Sequence, residues 1–231
     1  MTVSLYSMNL KGSLAIVEER IQGACLRSGR NRNSVTVIAV TKTHPSEVIK
    51  AAYDIGLRDF GENRVQELIK KKDELPPDIH WHLIGQLQSN KAKYIAPFVH
   101  LVHSIDSIST AKELSRRAEQ HDRTIDTLIE VNVAAEESKS GIASTEVLRF
   151  LDEIQKEAPN LVVKGLMTVA PHYDDPTLAR PHFKALRLLA ETHNLGELSM
   201  GMSGDFEIAI EEGATMVRVG SALFGDRNTD R

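Results

Sequence analysis

Cysteine is all but absent from this chain of 231 residues: Cys25 stands alone, which excludes an internal disulfide and fits a reducing compartment. There is no basic excess either, since 28 Lys and Arg face 32 Asp and Glu for a formal charge of −4. That balance gives nucleic acid no electrostatic footprint. The one short basic run, Lys70-Lys71-Lys72, sits late in an expected helix among acidic neighbours and reads as a solvated helix end. No apolar stretch approaches the roughly 18–20 residues that cross a bilayer. The N-terminus, Met1-Thr2-Val3-Ser4-Leu5-Tyr6, lacks the basic-then-apolar pattern of a secretory signal. The expectation is a soluble, cytoplasmic protein with neither membrane nor nucleic acid among its partners. Nucleotide fingerprints are missing as well: no Gly-x-Gly-x-x-Gly follows the first strand, and no Walker-type lysine loop occurs.

What the chain does have is a regular alternation of strand and helix signals. Leu10, Leu14, Val17, Ile21 and Ala24/Cys25 recur every three or four residues, so an N-terminal helix buries one face, with Cys25 on it as a packing residue. Residues 35–41 are β-branched and apolar, the first strand of a sheet covered on both faces. Further strands are expected at 59–61, 80–85, 101–104, 125–133, 161–169, 197–202 and 216–219. Helices fall between them at 45–55, 64–72, through Lys91, Ile95 and Ala96, and at 107–120, 145–157, 178–192 and 205–212. No linker-like tract divides the chain. Eight strands alternating with helices predict an α/β fold, a single-domain (β/α)8 barrel over 1–231 with an extra N-terminal helix and a polar tail from about 226.

The first strand stops at Lys42, and the tips of barrel strands are where such folds place their chemistry. A lysine there is either a solvated surface residue or an amine able to form an imine, its pKa lowered by desolvation and cationic neighbours. Near the other end, Ser203 is placed to cap the helix after the seventh strand, with the N–H groups of Gly204 and Asp205 facing any anion. Gly220 and Ser221 leave the eighth strand in the same way. Each segment alone is an ordinary helix cap, but barrels commonly hold phosphate between these two loops. Arg218 shares a strand face with Gly220 and so points into the barrel mouth if Gly220 borders the site. It needs an acceptor, either an internal glutamate (Glu130 or Glu62) or a ligand atom. A strand-end lysine, a phosphate cradle and an inward arginine are the parts that hold pyridoxal phosphate. The histidines compete as metal ligands, since His80 and His82 share a face and His100 and His103 lie close by. Neither pair has a recognisable third and fourth ligand, so no metal is expected.

Several longer motifs occur in order: Ala39-Val40-Thr41-Lys42, Phe60-Gly61-Glu62-Asn63-Arg64-Val65-Gln66-Glu67, and Trp81-His82-Leu83-Ile84-Gly85-Gln86-Leu87-Gln88-Ser89-Asn90-Lys91. Glu130-Val131-Asn132-Val133, Ser138-Lys139-Ser140-Gly141 and Gly165-Leu166-Met167-Thr168 follow. Together with the two C-terminal segments they closely resemble the pyridoxal phosphate homeostasis proteins, known as YggS in bacteria and PROSC in animals. The resemblance runs from about residue 35 to 225. It implies a TIM barrel of the alanine-racemase type, fold type III among pyridoxal phosphate proteins, with pyridoxal 5′-phosphate as cofactor. It further implies Lys42 as the imine lysine, Arg218 at the pyridine nitrogen, and Ser203, Gly204, Gly220 and Ser221 around the phosphate. Asn63 and His82, at the tips of strands two and three, become neighbours of the ring. The Gln86–Lys91 stretch matches without a chemical role.

An arginine at the pyridine nitrogen donates a hydrogen bond instead of a proton, which weakens the ring as an electron sink and argues against transamination or decarboxylation. Racemisation needs a second acid/base opposite the lysine. The alanine racemases take theirs, a tyrosine, from a second domain and a partner subunit, and no such domain is expected here. Of Tyr6, Tyr53, Tyr94 and Tyr173, only Tyr173 is placed to reach the mouth. The expectation is a monomeric carrier or regulator in vitamin B6 and amino-acid homeostasis, with pyridoxal phosphate-dependent apoenzymes as candidate recipients. Its rivals are an amino-acid racemase and a cofactor-free Schiff-base aldolase.

Overall fold

The computed structural model describes residues 3–136 and 139–225; Ser138 and the expected tail from about 226 lie outside the described residues. Strands β1 (Thr36–Val40), β2 (Asp59–Glu62), β3 (His80–Leu83), β4 (Leu101–Ile105), β5 (Ile125–Glu130), β6 (Leu161–Met167), β7 (Glu197–Met202) and β8 (Met216–Val219) close in sequence order into a barrel. Each neighbouring pair is parallel, and the closing pair sets Ile38 against Arg218 and Ala39 against Val219. The expected (β/α)8 architecture is therefore the observed one.

Period-two alternation divides each strand between two environments. Outward residues such as Ala39, Phe60, Trp81, Leu83, Val102, Ile129, Leu166, Leu198 and Val219 join the main core beneath the helices. Those helices include α2 (Ser46–Asp54), α3 (Val65–Glu74), α4 (Ala92–Ile95), α5 (Ile108–Glu119), α6 (Val147–Glu157), α7 (Arg180–Thr192), α8 (Phe206–Glu211) and α9 (Ser221–Phe224). Inside the barrel Leu101, Leu128 and Met167, with Met216 against them, form a small apolar cluster, and Ile38, paired with Arg218, is buried there as well. Several other buried interior positions are polar: His82, His103, Ser199 and Arg218. This interior is unusual, because inward layers of barrels are mostly branched aliphatic residues.

Helix α1 (Val3–Arg27) lies outside the seam, against α2, α8 and α9. Arg20 donates to Glu207 at 2.7 Å and lies 4.4 Å over the ring of Phe206. Arg30 donates to the carbonyls of Ile210 and Ala214, both at 2.8 Å. These contacts brace α8, the helix that begins at the edge of the mouth. Cys25 is buried on the packing face, as its place on the apolar stripe requires. Among the described residues no helix is long and apolar enough to cross a membrane.

Two local expectations need correction. The segment after β3 is not one helix but a 3₁₀ turn, Ser89–Lys91, followed by the four-residue α4. The 3₁₀ turn runs directly into α4, a frequent form of a helix's first turn, and the Ser89 hydroxyl, 3.0 Å from that of Thr110, ties the segment to α5. Lys71 is not solvated either. It is 6% exposed, because α3 turns Leu68 and Lys71 toward the barrel wall, where Glu62 projects outward from β2.

Candidate functional site

At the C-terminal ends of the strands lies a cavity of about 400 Å³. Its lining contains Lys42, Asn63, Ser203, Gly204, Arg218, Gly220 and Ser221, seven of the eight residues singled out by sequence. Val40, His44, Ile84, Val169 and Met202 complete much of the wall. Sequence reasoning missed His44, although it stands two residues after Lys42 in the same tip loop. Its ring meets that of Phe224 at 5.0 Å.

Lys42 is held from both sides. Before it, Thr41 is buried, its hydroxyl donating to Glu62 Oε1 at 2.6 Å while its carbonyl accepts from Lys71 Nζ at 2.9 Å. The same ammonium donates to Glu62 Oε1 at 2.6 Å. Burial raises the Glu62 carboxyl above its ordinary value, against the hydrogen bonds from Lys71 and Thr41, and its Oε2 has no partner among the described residues. After Lys42, Thr43 adopts φ 69°, a left-handed conformation that is uncommon for a β-branched residue. The Thr43 N–H donates to Glu67 Oε2 at 3.0 Å, and the His44 N–H returns to the Thr41 carbonyl at 3.0 Å. Desolvation opposes ionisation of Glu67, yet the Thr43 N–H and Lys71 hold its carboxyl below the ordinary range. A strained turn is thus fixed next to the half-buried lysine.

Asn63 follows β2 directly, and the tip of β3 crosses it in backbone contact. A Cβ on Gly85 would lie 2.3 Å from the Asn63 carbonyl oxygen, so only glycine fits there. The phosphate-like end depends on another glycine. Gly201 has φ 89°, and a Cβ on it would lie 2.5 Å from that of Ala209, so β7 turns tightly into α8.

Ser203 does not cap α8 as expected. Asp205 holds that position, and its Oδ1 accepts the Met202 N–H at 2.6 Å. Ser203 Oγ instead accepts from the N–H of Gly220 at 3.2 Å and of Ala222 at 3.3 Å. It therefore joins the loop after β7 to the start of α9. Chain neighbours aside, no described residue comes within 4 Å of where a Cβ on Gly204 would sit, so packing leaves room beside that backbone.

Arg218 is 4% exposed and lines the cavity floor. Its guanidinium donates to Ser199 Oγ at 2.7 Å and to the Thr168 carbonyl at 2.9 Å. Neither Glu130 nor Glu62 is its hydrogen-bond partner: Glu62 belongs to Lys71, and Glu130 acts on Arg218 only across space. Burial lowers the Arg218 pKa to about 10, with Asp205 and Glu130 opposing, so it stays cationic near neutrality. Glu130 is raised to about 7, by burial first and then by Asp106, with Arg218 pulling the other way.

His82 is the expected ring neighbour that the structure does not bring to the cavity. Ile84, two residues on, lines the mouth; His82 lies one layer deeper, 2% exposed, bonded to Asp59 and His103. At that far end Asp59, His80 and His100 each place one possible ligand atom within 4.8 Å of the others. Asp59 supplies a third donor that the histidine spacing did not reveal, although its Oδ1 already meets both His80 and His82 at 3.1 Å. Tyr173 is 2.8 Å from His182 Nε2 and is not part of the cavity lining.

This arrangement has known counterparts. Residues 24–228 match the alanine racemase N-terminal domain family. The pyridoxal phosphate homeostasis protein of Aquifex aeolicus is 48% identical over 227 residues, covering 95% of this chain and 99% of that protein. The chain belongs to this family. A second member, the pyridoxal phosphate homeostasis protein of Pseudomonas aeruginosa, is 42% identical over 94% of this chain and 95% of its own length. Among solved structures of the family, PipY of Synechococcus elongatus PCC7942 with PLP bound is 37% identical, with a TM-score of 0.76 over 90% of this chain and 100% of that one. Alanine racemase of Clostridium difficile 630 shares the fold at 14% identity and a TM-score of 0.74; the match covers 58% of that chain.

Proposed function

We propose that this protein binds pyridoxal 5′-phosphate at the barrel mouth and serves in vitamin B6 and amino-acid homeostasis as a carrier or regulator. The observation that carries the reading is the convergence of Lys42, Arg218 and the loops of Ser203–Gly204 and Gly220–Ser221 on one cavity of about 400 Å³. That volume lies in the range of small-cofactor pockets, and the donor set suits the group: an amine, a guanidinium, and hydroxyl and backbone N–H donors between them. The likeness to pyridoxal phosphate homeostasis proteins and to PipY with PLP bound supports the same assignment.

When bound, the cofactor supplies an aldehyde that an amine can condense with and a pyridine ring able to draw electrons from an attached amino group. Lys42 Nζ is the amine, on a tip loop fixed by Thr41 and Thr43. Ser203, Gly204, Gly220 and Ser221 hold the phosphate, and Asn63 stands beside the ring. Arg218 donates to the ring nitrogen and, being cationic, does not deliver a proton to it. A ring held this way is a weakened electron sink, which suits storage better than turnover. Tyr173, the one tyrosine that the sequence places near the mouth, is engaged by His182, which supports the carrier reading over racemisation. On this reading the protein is a monomer that hands its cofactor to apoenzymes in the cytoplasm.

Two assays on the reconstituted protein separate the readings. Fluorescence titration with pyridoxal phosphate is expected to saturate at one equivalent per chain. Chiral chromatography after incubation with L-amino acids is expected to show no steady inversion. Lys42-dependent inversion would replace the carrier with a racemase, and absence of any binding would favour an aldolase.

A further inference from the structure

Behind Arg218 the barrel interior carries a continuous line of hydrogen bonds, and its polarity follows from its two ends. Arg218 has only N–H donors, so Ser199 Oγ accepts from it at 2.7 Å. At the other end Asp59 is a carboxylate that only accepts. His82 Nε2, 3.1 Å from Asp59 Oδ1, therefore carries the proton, and its Nδ1 is the acceptor. His103 Nε2, 2.9 Å from His82 Nδ1, must then donate, which leaves His103 Nδ1 bare. That nitrogen is 2.9 Å from Ser199 Oγ and receives the serine proton. Every group in the line donates to the next, from cation to carboxylate, across β8, β7, β4, β3 and β2.

Burial, the Asp59 carboxyl and the valence of Ser199 are consistent with this order. The histidines are 2% and 0% exposed, and burial lowers both, His103 well below its ordinary value, so both are neutral near pH 7. Desolvation opposes ionisation of Asp59, but the hydrogen bond from His82 leads the effects that hold its carboxyl below the usual range. The Ser199 hydroxyl has one proton and two lone pairs, and the line uses one of each kind.

We propose that Asp59, His82, His103 and Ser199 are positioning residues that act through Arg218, fixing its guanidinium plane and its donor strength toward the ring nitrogen of pyridoxal phosphate. The claim about the cofactor rests on the proposed function; the claim about proton order does not. Unidirectional chains polarise their members, so an acceptor that pulls on Ser199 strengthens the orientation of Arg218. His82 thus influences the ring at a distance.

Long-range proton–nitrogen NMR correlation on the apo protein at pH 7.5 is the first test. Both His82 and His103 are expected as Nε2–H tautomers with unprotonated Nδ1; an Nδ1–H form of either one would overturn the relay. The second test uses ¹⁵N-labelled pyridoxal phosphate on Ser199→Ala, Asp59→Ala and Asp59→Asn. Ser199→Ala is expected to move the ring-nitrogen resonance and weaken binding roughly tenfold, the scale of one hydrogen bond to a charged group. Asp59→Ala should move the resonance in the same direction, and Asp59→Asn, which keeps an acceptor oxygen, should restore it. Unchanged resonances in the two alanine variants would sink the proposal. If the wild type takes up no pyridoxal phosphate, the cofactor reading fails, and the apo tautomers still decide the relay.

Discussion

Among the described residues two lysine or arginine side chains are buried, Lys71 and Arg218, and the chain treats them differently. Lys71, between the wall and α3, is 6% exposed and meets the Glu62 carboxylate at 2.6 Å. Arg218, inside the wall, is 4% exposed and meets a hydroxyl and a carbonyl, with no carboxylate in hydrogen-bond contact among the described residues. The first charge is answered within the chain, and its role is to hold the strand tip that carries Lys42. The second is hydrogen-bonded to dipoles, which hold the guanidinium in place, and feels Asp205 and Glu130 only across space. Burial of a charge therefore does not by itself separate structure from function; the kind of acceptor does.

Removing one member of each set should break the comparison most visibly. Lys71→Met strands Glu62 in a buried site and is expected to cost about 3–5 kcal/mol, read from the urea midpoint. Adding Glu62→Leu should recover most of that loss, and a double variant no better than the single would refute the pairing. Arg218→Gln is expected to weaken pyridoxal phosphate binding about a hundredfold while costing stability only about 1–2 kcal/mol. Equal stability losses at Lys71 and Arg218 would erase the distinction.

Smaller effects sharpen it. Glu130 titrates at about 7 in the folded protein, above its ordinary 4.5, so the native state holds this proton more tightly than the unfolded chain does. The stability it contributes is complete below the unfolded value and is lost as pH rises through 7. Glu130→Gln should therefore gain on the wild type between pH 5 and pH 8, by about 2 kcal/mol in paired denaturant series. A constant gap would contradict the raised value. Thr43→Gly relieves the left-handed φ beside Lys42 and is expected to raise stability by about 0.5–1 kcal/mol in a thermal melt.

Much of this was readable before any coordinates. Strand and helix alternation is a local signal, and β7 and β8 fall on the residues that period and flanking glycines marked. Lys42, Arg218, Ser203 and Gly220 stood at strand tips, where topology alone brings them together. What escaped depends on partners distant in sequence. The burial of Lys71 required knowing that Glu62 points outward. The work of Ser203 at α9 instead of α8 required the β7 and β8 loops to touch. His82 was placed one layer too high because a strand's alternation gives the face but not the depth; Ile84 occupies the layer assigned to it. The helix expected through Lys91, Ile95 and Ala96 begins instead as a 3₁₀ turn, whose Ser89 is tied to Thr110 in α5.

The central claim is that Lys42 bonds the cofactor in this mouth. The most direct measurement is borohydride reduction of the protein loaded with pyridoxal phosphate, followed by peptide mass mapping. The account predicts one reduced pyridoxyl group, on the peptide containing Lys42, and none in Lys42→Ala. A modification mapping to another lysine, or retained in Lys42→Ala, would contradict it.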